Sequence, residues 1–167
     1  MIKSIKELST ADRARLRISS EAYFKNILKT DTDSAVNRLF SIFIRPRQKT
    51  YSEALIRSLE DEKRLGYVSY DEQGLLEGFV ISDLDEDDIA FISHFYVDET
   101  KLQSKDAKMI ACALMKVMCD ELKKYGKTRL QTSIPSKEAL LIDALESLHF
   151  DERETFFAGE AGYEKHI

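Results

Sequence analysis

Apolar positions along this chain change period several times, and each change marks a new element. Ile2 to Leu8 alternates weakly and predicts a short first strand. Ser9-Thr10-Ala11-Asp12, a capping serine with an acid in the first turn, opens a helix running through Leu16, Tyr23, Phe24, Ile27 and Leu28. Thr30-Asp31-Thr32-Asp33 breaks it and caps a second helix with Ala35, Leu39, Phe40 and Phe43 on its apolar face. Arg45-Pro46-Arg47 ends that helix, because the residue before a proline is pushed out of the helical region. A third helix fits Tyr51 to Lys63, with Leu55, Ile56 and Leu59 facing inward.

The period then shortens to two. Leu65 to Tyr70 and Leu75 to Leu84 read as strands joined by the turn Asp71-Glu72-Gln73-Gly74, which makes a hairpin. Asp85-Glu86-Asp87-Asp88 lacks the ligand spacing of a calcium loop and reads as a solvated turn into the strand Ile89 to Val97. A polar, lysine-rich stretch without glycine leads to a long amphipathic helix, Ala111 to Tyr125, closed by Gly126 as its C-cap. Thr128 to Ile134 alternates again. Pro135-Ser136-Lys137-Glu138 opens a last helix with Leu140, Leu141, Ala144, Leu145 and Leu148 on one face. Phe150 to Ala158 and Tyr163 to Ile167 complete the chain as strands.

Composition narrows the function classes. The length of 167 residues, with no repeat or linker, predicts one domain spanning 1–167. A formal net charge of −5 argues against a general nucleic-acid binder. The longest apolar run, Met109 to Cys119, is interrupted by Lys116, so no segment suits a membrane span, and MIKSIKELST has no apolar core for a signal peptide. A cytoplasmic protein without membrane attachment is expected. Cys112 and Cys119 lie about two helical turns, roughly 10 Å, apart, too far for a disulfide. Nothing local completes a metal site, so two buried, reduced thiols and no metal are expected.

The order of elements, with the residues inside it, resembles the GCN5-related N-acetyltransferase (GNAT) superfamily over nearly the whole chain. Ala90-Phe91-Ile92-Ser93-His94-Phe95-Tyr96-Val97 is similar to the family's cofactor-bearing strand. Ala111 to Gly126 is similar to the helix that follows it. Ser136, Ala139 and Leu148-His149-Phe150 resemble the segment where the family has Asn, Ala, Tyr and Gly-Phe, and Tyr163-Glu164-Lys165 fits the last strand. The resemblance implies an α/β (α+β) fold: a mixed, mostly antiparallel sheet of six to seven strands with helices on both faces.

It also implies acetyl-CoA as acyl donor and a primary amine of a small molecule or peptide as acceptor. The pantetheine would pair with backbone groups of Phe95, Tyr96 and Val97. The pyrophosphate would lie on amides opening the following helix, in a loop where the family places glycines for close backbone approach. Aligned from Gln103, the stretch Gln103-Ser104-Lys105-Asp106-Ala107-Lys108 puts Asp106 and Lys108 in the glycine places. Aligned from the helix end, those places fall on Met109 and Ala111. Lys105 and Lys108 could supply charge for the phosphates.

For catalysis, the resemblance points to a backbone N–H at Phe95 polarising the thioester carbonyl. Simple alternation groups Phe91, Ser93 and Phe95 on one face, where Ser93 could hold a water for proton relay, and turns His94 to the other. The family's usual acid, a tyrosine, is replaced by Asp143 or Leu145. An inactive binding or regulatory module on the same fold is the alternative; a cleft filled by Phe91 or Met109 would favour it. The helices between Ala11 and Lys63 form a longer insertion than a minimal member needs and could cap the substrate cleft or make a homodimer contact.

Overall fold

The computed structural model describes residues 1–30, 52–53, 55–57, 59–84, 87–100, 102–154 and 159–167. The expected helix around Ala35 to Phe43 and its Arg45-Pro46-Arg47 stop lie outside them. Contacts divide the chain into two compact units, Lys6–Asp61 and a larger one of Met1–Ile5 with Glu62–Ile167.

In the smaller unit, α1 covers Thr10–Thr30. Ser9 caps it as its sequence suggests: the Asp12 N–H donates to Ser9 Oγ at 3.1 Å, and Ser9 Oγ donates to the Asp12 carboxylate at 2.9 Å. Residues 52–53 and 55–57 are helical. Ser20 Oγ and Ser52 Oγ lie 2.6 Å apart and both donate to the Arg17 carbonyl at 2.8 Å, which satisfies two buried hydroxyls.

The larger unit carries a seven-stranded sheet in the order β1-β2-β3-β4-β5-β7-β6. Its strands are β1 (Ile2–Ser4), β2 (Arg64–Tyr70), β3 (Leu76–Asp83), β4 (Ile89–Val97), β5 (Arg129–Pro135), β6 (Asp151–Arg153) and β7 (Glu160–His166). Only β4 and β5 pair in parallel, so the sheet is mixed and mostly antiparallel. The expected first strand is shorter than Ile2 to Leu8, since Ile5–Glu7 turns into a 3-10 helix.

Two helices cover one face: α2 (Ser104–Lys124) and α3 (Ala139–Ser147). Val80, Ile92, Phe95, Val97, Leu130 and Ile134 of the sheet pack with Leu114, Met115, Met118 and Leu122 of α2 and Leu141 and Leu145 of α3. Each fully buried side chain of this kind contributes about 1.5–3 kcal/mol of transfer free energy. Cys119 is buried in this core, whereas Cys112 is only half-buried and so departs from expectation; both are free thiols. No described helix is long and apolar enough to cross a membrane.

Both helices end in the same hydrogen-bond pattern. For α2, Gly126 N–H donates to the Lys123 carbonyl and Lys127 N–H to that of Leu122. For α3, His149 N–H donates to the Glu146 carbonyl and Phe150 N–H to that of Leu145. These are Schellman closures, which require a left-handed residue. Gly126 adopts φ 74° at no steric cost, while His149 adopts φ 60° as the one described non-glycine residue with positive φ.

Candidate active site

The site grows from an interruption in the sheet. β4 pairs with β5 only from Ile89↔Arg129 to Ile92↔Thr132. Beyond that rung β4 continues along β3 to Val97, and β5 continues along β7 to Pro135. The rung is also where β4 carries a bulge: Ile81 faces His94 and Ser82 faces Ile92, leaving Ser93 as an extra residue. Ser93 Oγ turns back to the Ile81 carbonyl at 3.4 Å.

Backbone alternation then decides which groups look into the gap. The Asp98 N–H donates to the Glu77 carbonyl at 2.8 Å, towards β3. Successive residues direct their backbone groups to opposite strand edges, so Tyr96 also faces β3 while Phe95 and Val97 face the unpaired edge. At the crotch, Thr132 is 2% exposed and its hydroxyl has no hydrogen-bond partner among the described residues. Its side chain shares the buried face of Leu130 and Ile134, so this hydroxyl is a cost to the fold rather than a group open to the gap.

The gap opens beside the start of α2. Gln103 is the N-cap, with φ −68° and ψ 148°, and no side chain caps the helix. The first helical bond runs from Ala107 N–H to the Gln103 carbonyl at 2.9 Å. The amides of Ser104, Lys105 and Asp106 therefore lack intrahelical acceptors and stand at the positive end of the helix dipole, a setting suited to phosphate. The helix begins at Ser104 rather than Ala111, about two turns earlier than its apolar pattern suggests, because its first turns are polar. The connecting loop is thus Asp98 to Gln103. None of its described residues has positive φ, so this loop follows its path without glycine's conformational freedom.

A parallel-paired rung, a bulged strand with an unpaired edge and an uncapped helix start stand together, and comparison with solved structures identifies the arrangement. The PaiA N-acetyltransferase of Thermoplasma acidophilum, in complex with coenzyme A, superposes over 100% of this chain and 99% of its own, with a TM-score of 0.69 at 16% identity. The chain has the GNAT fold. An aminoglycoside 6'-acetyltransferase type Ii matches over 99% of this chain and 96% of its own at TM-score 0.68 and 10% identity. The GNAT domain of S. lividans PAT matches over 69% and 68%, at TM-score 0.58 and 15% identity. No family model and no curated protein matches the sequence itself.

Within the GNAT fold, the bulge rearranges the side chains that simple alternation groups together. Ala90 and Ile92 before it, and Phe95 and Val97 after it, all enter the core under α2. Phe91 therefore shares a face with His94 and Tyr96 instead of with Phe95. Phe91 and Met109 are 40% and 61% exposed, so neither is buried in the gap. Gln103, Ser104 and Lys105 stand at the helix start. Lys108, Met109 and Ala111 lie further along α2, with Ala111 buried in the core and Lys108 paired at 2.8 Å with Asp143 of α3.

Electrostatics sorts the remaining candidates. Burial, reinforced by the nearby Arg64 guanidinium, pulls His94 down to about 4, so its imidazole is neutral at physiological pH. Burial first, then the carboxylates of Asp98, Glu138 and Glu99, pushes Tyr96 up to about 12. Burial and Glu138 also raise Glu99. Of the two positions standing for the missing tyrosine, Leu145 is buried in the core and Asp143 is held by Lys108. Thr132, Glu99 and Glu138 are residues that the sequence did not single out. Thr132 needed the strand register to be seen, whereas the acids follow directly on β4 and precede α3 in the sequence.

Proposed function

We propose that this chain is a cytoplasmic acetyl-CoA-dependent N-acetyltransferase acting on a primary amine of a small molecule or peptide. The observation that carries this reading is the unpaired edge of β4 at Phe95 and Val97, beside an uncapped helix start, on a fold shared with a coenzyme A-bound acetyltransferase. Two free cysteines fit a reducing compartment.

The residues present fit the donor. Phe95 and Val97 offer backbone groups to the pantetheine, and the amides of Ser104 to Asp106 with the Lys105 ammonium face the diphosphate. Acetyl-CoA, when bound, supplies the electrophilic thioester carbonyl and a thiolate leaving group. The Phe95 N–H is placed to polarise that carbonyl oxygen. Glu99, whose carboxyl is raised by burial and by Glu138, is the candidate base for an incoming ammonium. Tyr96, at about 12, is less acidic than an ordinary thiol near ~8.5, so it stays protonated and orients rather than donates.

Calorimetric titration of the protein with acetyl-CoA, followed by a thiol-release assay with a panel of diamines and peptides, tests the reading. Saturable binding with amine-dependent thiol release is expected. No binding at millimolar acetyl-CoA overturns it, and binding without turnover on any amine places the chain with the binding modules.

A further inference from the structure

A second concave site lies far from the gap. The C-terminal half of α2, the end of α3 and the end of β7 enclose a pocket of about 420 Å³, within the usual range for small-molecule sites. Its lining includes Lys116, Lys123, Lys165, His149, His166 and the buried Cys119. Lys116 follows Ser104 by about 18 Å along the helix axis. His166 pairs with Arg129, at the opposite end of β5 from Pro135, so the pocket sits at the other end of the sheet.

The side-chain charge of this lining is opposite in sign to that of the chain, whose net charge is −5. Three lysines meet one acid, Asp120, whose carboxylate lies 3.9 Å from Lys123. Burial pushes the Cys119 thiol up to about 11, so it contributes no charge. Lys165 is fixed in place: its ammonium donates to the Leu148 carbonyl and lies 5.5 Å from the centroid of the Phe150 ring.

His149 gives an independent cue. It occupies the left-handed position of the α3 closure, where L side chains are strained and where α2 uses Gly126. The cap itself needs no side chain there. The imidazole nevertheless stands on the wall of the cationic pocket. Strain of this kind, kept where glycine would relieve it, marks positions whose side chain has a use.

We propose that this pocket binds a small phosphate monoester, its phosphate received by Lys116, Lys123 and His149. Lysines suit a compact dianion as point charges, and a volume of about 420 Å³ accommodates a sugar-sized remainder.

Ribose 5-phosphate, with ribose as its neutral counterpart, is the probe, read by calorimetry and by amide shifts in ¹H–¹⁵N spectra. Ribose 5-phosphate is expected to bind with shifts confined to Lys116–Lys123, Ser147–His149 and Lys165–Ile167, and ribose to leave them unmoved. The Lys116→Gln, Lys123→Gln double variant should weaken binding about tenfold. His149→Gly should raise the melting temperature and still weaken binding, a combination that a purely structural histidine does not give. Absence of binding at millimolar probe, affinity unchanged in the double variant, or equal affinity for inorganic phosphate overturns the assignment. These readouts are independent of acetyl transfer, so they stand or fall separately from the proposed activity.

Discussion

Lys108 Nζ lies 2.8 Å from Asp143 Oδ2, and this ion pair joins α2 to α3. It divides the work of two lysines that look equivalent in sequence. Lys108 is committed to Asp143, while Lys105, at the second position of the helix, makes no ion pair among the described residues and stands by the amides suited to phosphate. Because both partners are partly exposed, the pair itself is worth only about 0–1 kcal/mol.

Lys105→Ala should raise KM for acetyl-CoA about three- to tenfold while kcat stays nearly constant, the signature of lost ground-state and transition-state binding alike. Lys108→Ala should change KM less than about twofold and lower stability by less than about 1 kcal/mol. Steady-state kinetics of both variants decides it. The opposite ranking would move the phosphate site along the helix.

Thr132→Val removes a buried hydroxyl without changing shape. No hydrogen bond is lost, because the hydroxyl has no partner among the described residues. Stability in urea should rise by roughly 1 kcal/mol, while the affinity for acetyl-CoA stays unchanged. A destabilised variant would mean that the hydroxyl serves the fold.

The two helix closures should respond with opposite sign. A Cβ on Gly126 would meet nothing within 4 Å, so Gly126→Ala costs only the left-handed conformation, about 1–2 kcal/mol. His149→Gly should gain about 1 kcal/mol by relieving the same conformation. Thermal or chemical denaturation of the pair checks both, and a destabilised His149→Gly would mean the imidazole holds the fold.

Stability should also fall in mild acid because of His94. Its folded value of about 4 lies below its unfolded value near 6.5, so the native state resists taking up the proton that the unfolded chain accepts. The contribution is fully present above about pH 6.5, is lost progressively towards pH 4, and amounts to at most about 3 kcal/mol. Chemical denaturation at pH 7.5 and pH 5 should show this slope in the parent and a reduced slope in His94→Gln. Equal slopes would assign the acid sensitivity to other groups.

Most of the fold was legible because burial imposes a period. Alternation located β2, β3, β4 and β5, the glycine in the left-handed position located the end of α2, and Ser9 located the start of α1. What escaped was set by local events that hydrophobicity does not record. The start of α2 is polar because its first turns face outward, so the apolar pattern begins two turns late. The bulge at Ser93 reverses which side chains share a face, and no composition cue announces it. Thr132 looks like any strand residue until the last parallel rung falls on it.

The extra residue in β4 has a consequence for how such a protein can diversify. It lets one strand keep four apolar side chains under α2 while Phe91, His94 and Tyr96 all project to the opposite side. Substitutions at those three positions can reshape that face without touching either the core or the amides of Phe95 and Val97. The chemistry of one face and the geometry of the open strand edge are thereby separately tunable along nine consecutive residues.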